Sequence, residues 1–94
     1  MKLSEIQETI KEHDFNLENK PGYFMKLIEE VGELSEAIRK EKSGQPTEFN
    51  IKGSIAEELN DILYYVCALA NVHDIDLEET YILKDKLNKV KYSR

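Results

Sequence analysis

The sequence lacks several features that define whole classes of protein. Its 94 residues include one cysteine, no tryptophan, two prolines and four glycines. A single cysteine excludes an internal disulfide framework, and the low proline and glycine content argues against collagen-like and disordered chains. No run of 18 or more apolar residues is present, so the sequence predicts no membrane span.

The chain also lacks the excess of positive charge that nucleic-acid binding requires. Lys and Arg number 13 against 19 Asp and Glu, which gives a formal net charge of -6. Affinity for DNA or RNA comes from clustered cations on phosphates, so a generic nucleic-acid binder is disfavoured. An anionic ligand must therefore be attracted by something other than the overall field of the protein.

Two features of the sequence predict a cytoplasmic protein. Cys67 is unpaired and lies in an apolar run, where a buried and unreactive thiol is expected rather than a nucleophile. The N-terminal stretch MKLSEIQETIKEHD carries too many charges for a signal peptide. A reducing compartment is the simplest setting for such a chain.

Periodicity and capping signals predict four helices, and no alternating strand pattern is present. Pro21 suits the first turn of the second helix, while Ser54 and Asp76, each followed three residues later by Glu, match capping boxes. Ser43-Gly44 is a stop signal for the second helix. The predicted bounds are about 4–13, 21–42, 54–72 and 77–92.

Four helices with short connections predict an all-α, four-helix bundle-like fold in a single domain of residues 1–94. Residues 45–53 have no usable periodicity and form a connection, and a start of the third helix at Asn50 is an alternative. A chain this short has a marginal core of its own. We therefore expect a homo-oligomer, either a homodimer or a homotetramer.

An acidic pattern occurs twice. LIEEVGEL at 27–34 and IAEELNDI at 55–62 share the order aliphatic, any, Glu, Glu, aliphatic, any, acid, aliphatic. Each helical residue advances by about 100°, so each helix carries two carboxylates three residues apart along one edge of its apolar stripe. When the stripes pack together, four carboxylates converge: Glu30, Glu33, Glu58 and Asp61.

Acids on helices are commonly solvated surface, but two features argue for a metal site. Glu29 with Glu33, and Glu57 with Asp61, are like charges one turn apart, which destabilises a helix. Crowding carboxylates at a partly buried rim raises their pKa values unless a cation neutralises them. Oxygen ligands without Cys or His favour Mg²⁺, with Mn²⁺ as a substitute, over zinc or copper.

Other metal-binding patterns do not fit. The Glu-x-x-His motif of di-iron bundles is absent, and His13 and His73 are expected at the surface or at helix ends. An Asp-rich twelve-residue calcium loop is absent as well.

These motifs resemble the MazG-type all-α nucleoside triphosphate pyrophosphohydrolases. The resemblance is carried by Glu-Glu-x-x-Glu at 29–33 and, after 24 residues, Glu-x-x-Asp at 58–61. The contexts EEVGEL, EELNDILYYVCALAN and IDLEE agree, and the similarity extends from the second helix onward. It implies Mg²⁺-dependent cleavage of a nucleoside triphosphate to the monophosphate and pyrophosphate, as house-cleaning of non-canonical or excess nucleotides.

The resemblance also implies roles for individual residues. Glu30, Glu33, Glu58 and Asp61 correspond to metal ligands. Glu29 corresponds to a metal-shell residue or to the group that orients or deprotonates the attacking water.

Substrate-binding residues are expected on the fourth helix and beside the acids. Lys84, Asn88 and Lys91 share one helical face and match phosphate-binding positions of the family, although Lys91 replaces the more usual Arg; the alternative is a solvated basic helix end. Tyr65 can stack on a nucleobase or serve as a core-edge residue. Asn60 replaces a common Gly and is predicted to point away from the site.

Two other functions fit the same residues. The first is a non-catalytic helical module that binds metal and nucleotide for regulation. The second is an acidic bundle that binds a basic protein, which predicts no metal effect beyond screening by salt.

Overall fold

The structure is a computed structural model that describes residues 1–93. Those residues form four α-helices and no strand, and the predicted all-α fold is confirmed. No helix in this range is long and apolar enough to cross a membrane. The helices are α1 (Leu3–His13), α2 (Lys20–Arg39), α3 (Ile55–Val72) and α4 (Leu77–Tyr92), with a short 3₁₀ helix at Leu17–Asn19.

The capping signals in the sequence start α3 and α4. Ser54 Oγ accepts a hydrogen bond from the Glu57 amide at 3.1 Å, and Asp76 caps α4 in the same way. The Glu57 carboxylate accepts from the Gly53 amide at 2.9 Å, one residue earlier than a standard capping box. The alternative start of α3 at Asn50 is wrong, because the Ser54 cap fixes the first turn.

Helix α2 ends at Arg39, three residues before the predicted end at Lys42. Glu41 adopts a left-handed conformation with φ 54°. The Glu41 amide donates to Ile38 O and the Lys42 amide donates to Ala37 O, both at 3.0 Å. These bonds form a Schellman motif, which closes the helix. The prediction was wrong because it expected glycine at the left-handed position.

The core is formed where α1, α2 and α3 meet. α2 packs along α3, α1 packs against α3, and α4 packs chiefly against α1. Cys67 is fully buried, as predicted, and burial raises the pKa of its thiol. The buried apolar cluster comprises Ile10, Tyr23, Cys67, Ala68 and Val72.

A buried glutamine ties α1 to the connection between α3 and α4. Gln7 Nε2 donates to Asn71 Oδ1 at 3.0 Å and to Ile75 O at 2.8 Å, while Gln7 Oε1 accepts from the Leu77 amide at 2.7 Å. Asn71 Nδ2 in turn donates to Gln7 O at 2.9 Å. One side chain thus satisfies polar groups on both sides of the turn and fixes where α4 begins.

Replacing Gln7 by Leu should destabilise the fold by about 2–3 kcal/mol, because buried polar groups of the turn lose their partners. The midpoint of urea unfolding, followed by circular dichroism, measures this change. Gln45→Leu is the matched control, since Gln45 is exposed in the connection. Equal midpoints for the two variants would show that the Gln7 bonds add nothing to stability.

Candidate active site

Packing of α2 against α3 brings three carboxylates together. Glu30 and Glu33 lie on α2 and Glu58 lies on α3, and one ligand oxygen from each lies within 4.8 Å of the others. We call these three residues the carboxylate cluster. The helices are antiparallel. Glu33, in the second half of α2, meets Glu58 near the start of α3, while Tyr23, near the start of α2, and Tyr64, farther along α3, both donate to Asp14.

The carboxylate cluster is partly removed from water. Glu58 is only 6% exposed and Glu30 is half-buried, while Glu33 is exposed. Burial and the nearby Glu33 together raise the pKa of Glu30 to about 7. The same two causes raise the pKa of Glu58. A proton or a cation must therefore offset the repulsion between these groups.

Two oxygens of the cluster have unmet bonding capacity. Among residues 1–93, Glu30 Oε2 and Glu58 Oε2 are the buried side-chain oxygens that lack a hydrogen-bond partner. Carboxylate oxygens alone are the ligands preferred by Mg²⁺ and Mn²⁺. The residues present therefore fit a divalent cation, which satisfies both oxygens and neutralises their charge.

Asp61 and Glu29 lie outside the carboxylate cluster. Asp61 is half-buried, burial raises its pKa, and its charge raises the pKa values of Glu30 and Glu58. Glu29 is exposed and forms an ion pair with Lys26 at 3.2 Å. Asp61 thus acts on the cluster from close by, and Glu29 faces the solvent. Metal binding by all four predicted ligands stays a prediction.

Tyr65 lies beside the carboxylate cluster and is held by a second tyrosine. Its ring packs edge-on against Tyr64 at 5.0 Å between centroids. The hydroxyls of Tyr23 and Tyr64 donate to the two oxygens of Asp14 at 2.6 and 3.1 Å. Sequence analysis missed Asp14, because the stretch that follows α1 has no helical pattern. Tyr65 interacts electrostatically with Glu30, which places it near the site.

The structure does not pack α4 against the carboxylate cluster. Lys84 and Lys91 are exposed and Asn88 is half-buried. No residue in the described range 77–92 of α4 is buried, and α4 has no extensive contact with α2 or α3. The predicted phosphate-binding face is therefore present on α4 but apart from the acids of its own chain.

The chain belongs to the MazG nucleotide pyrophosphohydrolase family, because the MazG nucleotide pyrophosphohydrolase domain matches residues 20–92. The crystal structure of Ntag-iMazG from Vibrio DAT 722 is 67% identical over 100% of both chains, with a TM-score of 0.94. The Ctag-iMazG structure from the same source is 66% identical and covers 95% of this chain and 99% of that one, with a TM-score of 0.92. A comparison with curated proteins found no match.

Metal-free protein should lose stability as the pH rises from 5 to 8. The pKa of Glu30 is about 7 in the fold against 4.5 for the free side chain, so the folded state binds the proton more tightly. That stabilisation is complete below about 4.5 and is lost as the pH passes about 7, amounting to at most about 3 kcal/mol. Melting temperatures in a chelator measure the loss.

The variant Glu30→Gln should flatten this pH dependence, whereas Glu12→Gln on the exposed face of α1 should leave it unchanged. Mg²⁺ should raise the melting temperature more at pH 8 than at pH 5, because it binds the ionised form. A melting temperature that rises steadily from pH 5 to pH 8 without metal would contradict the assigned crowding.

Proposed function

We propose that this enzyme is a Mg²⁺-dependent nucleoside triphosphate pyrophosphohydrolase that removes non-canonical or excess nucleotides. The observation that carries the proposal is the carboxylate cluster with its two buried, unpartnered oxygens. Membership of the MazG family supports a nucleotide substrate and a divalent metal. Neither feature is explained by a purely structural bundle.

Each acid receives a role from its position. Glu30, Glu33 and Glu58 would hold the cation, and half-buried Asp61 would serve as a fourth ligand. When bound, Mg²⁺ supplies neutralisation of phosphate charge and lowers the pKa of a bound water. Glu29, at the exposed edge, orients or deprotonates the attacking water.

The reaction hydrolyses the anhydride bond between the α and β phosphates. The oxygen of a water molecule forms a bond to one phosphorus, and the bridging oxygen leaves with the other phosphate. One water proton passes to a carboxylate acting as general base and then to solvent. The products are a nucleoside monophosphate and pyrophosphate.

Glu58→Gln and Asp61→Asn should each reduce turnover by at least about a hundredfold, because each removes a negative ligand from the metal. Pyrophosphate release from a panel of ordinary and damaged nucleoside triphosphates, with and without Mg²⁺, measures this effect. Circular dichroism should show unchanged helicity.

Glu12→Gln, which changes the same chemical group on an exposed position, is the activity control. Full activity in Glu58→Gln and Asp61→Asn would remove the proposed mechanism. Stabilisation of the wild type by Mg²⁺ and nucleotide without any product would instead favour the regulatory binding module.

We also propose that the enzyme acts as a homo-oligomer, at least a dimer. The radius of gyration is 15.3 Å, against about 12 Å for a compact chain of this length. Apolar residues on the predicted buried stripes of α2 and α3 are roughly half exposed. They include Phe24, Val31, Ile38 and Leu59.

A second copy can cover these faces and complete the active site. The exposed apolar residues of α4, which include Ile82, Leu83 and Leu87, lie on the helix that carries the predicted phosphate-binding side chains. In a two-fold dimer, α4 of one copy can lie over the carboxylate cluster of the other. This arrangement buries apolar surface and brings Lys84 to the phosphates.

Mixing two inactive variants tests whether sites are shared between copies. Glu58→Gln and Lys84→Ala should each lose activity, because one lacks a metal ligand and the other a phosphate contact. If α4 serves its partner, half of randomly mixed dimers carry one intact site, which restores about a quarter of wild-type turnover. Turnover assays after mixing and refolding, with sedimentation to confirm dimers, measure the recovery.

Each variant refolded alone is the control and should stay inactive. Recovery requires that the two changes fall in the same site of a mixed dimer, which leaves the other site intact. Absence of recovery in verified mixed dimers would place α4 over the acids of its own chain. Full activity of Lys84→Ala alone would remove Lys84 from the substrate site.

A further inference from the structure

A cavity of about 170 Å³ continues from the carboxylate cluster toward the connection between α2 and α3. Its lining includes Glu33 and Glu58 of the carboxylate cluster and, where the connection meets α3, Lys42 and Gly53. The other lining residues are Glu36, Ala37 and Lys40. We call it the connection cavity. Its volume equals that of several water molecules, so it has room for small polar groups beyond a metal ion.

The backbone holds Lys42 firmly in the wall of the connection cavity. The Lys42 amide donates to Ala37 O and Lys42 O accepts from the Ile55 amide, both at 3.0 Å. Lys42 therefore links the end of α2 to the start of α3. This anchoring fixes the Cα position of Lys42 beside the acids, although the residue lies in the long connection.

The Lys42 ammonium group lies beside a glycine of the connection, Gly53. Gly53 has φ +74°, a conformation that side-chain-bearing residues rarely adopt. A Cβ placed there would lie 3.5 Å from Lys42 Nζ. The ammonium group thus lies against bare backbone, one residue before the Ser54 cap of α3.

Lys42 has a positive charge that no acid neutralises by direct contact. Lys40 pairs with Glu36 at 3.3 Å, whereas within residues 1–93 Lys42 forms no ion pair. The N-terminus of α3 adds positive potential at the same end of the connection cavity. The cavity therefore combines metal-binding acids at one end with an unpaired ammonium group at the other.

The order of residues along α3 gives the connection cavity a direction. Tyr65 lies seven residues beyond Glu58, about 10 Å along the helix, whereas Gly53 and Lys42 lie before the helix begins. A nucleotide whose metal-bound phosphates lie at the cluster and whose base lies toward Tyr65 points its terminal phosphates at Lys42.

We propose that Lys42 binds the phosphate groups that leave as pyrophosphate, an inference that rests on the proposed function. Lys42 then acts from the same chain as the metal-binding acids, independently of the phosphate-binding face on α4. The charge of a lysine suits this role, since its ammonium group contacts phosphate oxygens without a fixed geometry.

The test compares pyrophosphate binding by four proteins: the wild type, Lys42→Met, Lys42→Arg and Lys52→Met. Met keeps the length of the side chain and removes its charge, and the backbone bonds of Lys42 survive both changes. Lys52 is exposed on the same connection and does not line the connection cavity, so its variant is the matched control. Calorimetry with inorganic pyrophosphate and Mg²⁺ gives the affinity, and circular dichroism verifies folding.

Lys42→Met should weaken pyrophosphate binding by about tenfold or more, the effect of losing one charged hydrogen bond. Lys42→Arg should recover most of the affinity, and Lys52→Met should change it less than about twofold. The KM for the best nucleoside triphosphate should rise in Lys42→Met, while inhibition by the matching nucleoside monophosphate stays unchanged.

Three results would overturn the inference. Unchanged pyrophosphate affinity in Lys42→Met would show that Lys42 only balances the charge of the acids. In that case the variant would have a lower melting temperature than the wild type without metal, and nothing else would change. If Lys52→Met weakened pyrophosphate binding as much as Lys42→Met, the effect would come from the overall positive charge of the connection. If Lys42→Met weakened monophosphate binding as much as pyrophosphate binding, Lys42 would contact the phosphate that stays on the nucleoside. Failure of the wild type to release pyrophosphate from any nucleotide defeats the proposed function itself, independently of these comparisons.

Discussion

Repulsion between carboxylates held on two packed helices is the constraint on which the rest of this structure depends. α2 and α3 pack along each other, and that contact forces Glu30 and Glu58 toward one another in a region with little water. Burial and the neighbouring Glu33 raise the pKa values of both groups, because the ionised forms are disfavoured in this arrangement. A divalent cation would relieve this repulsion, so the same contact between α2 and α3 that costs stability could hold a metal ion.

The shape of the chain follows from how few apolar residues α1 and α4 bring to the core. α1 contributes Ile10 and the hydrogen bonds of Gln7, and α4 contributes no buried residue within 77–92. The apolar faces of α2 and α4 remain exposed over much of their length. Exposed apolar patches of this kind mark interfaces, which is why a single copy looks open beside the compact shape expected for its length.

Much of the fold was predictable because its signals are local. The Ser54 and Asp76 caps and the repeated acidic octad depend on residues within about two turns of each other. Both residues cap their helices as expected, and the octads bring together three of the four expected carboxylates. The end of α2 was not predictable from the same rules, since Glu41 occupies a left-handed position that usually requires glycine. There the chain is also held by a tertiary contact, the hydrogen bond that the Ile55 amide donates to Lys42 O across the connection.

The missed residues share a different property: their partners are distant in sequence. Asp14 joins Tyr23 to Tyr64, and Gln7 reaches the turn after α3. Neither residue belongs to a periodic pattern or a motif, so only the tertiary structure identifies it. The same holds for Lys42, which lines the connection cavity together with Glu58 of the next helix.

The first nineteen residues lie outside the stretch that matches the MazG domain, yet α1 is bonded into the middle of the fold. Ile10 belongs to the same apolar cluster as Cys67, and Gln7 accepts a hydrogen bond from the Leu77 amide at the start of α4. The matched domain is therefore shorter than the unit that folds. A fragment trimmed to residues 20–92 would keep every proposed metal ligand and lose the hydrogen bonds of Gln7 that hold the start of α4.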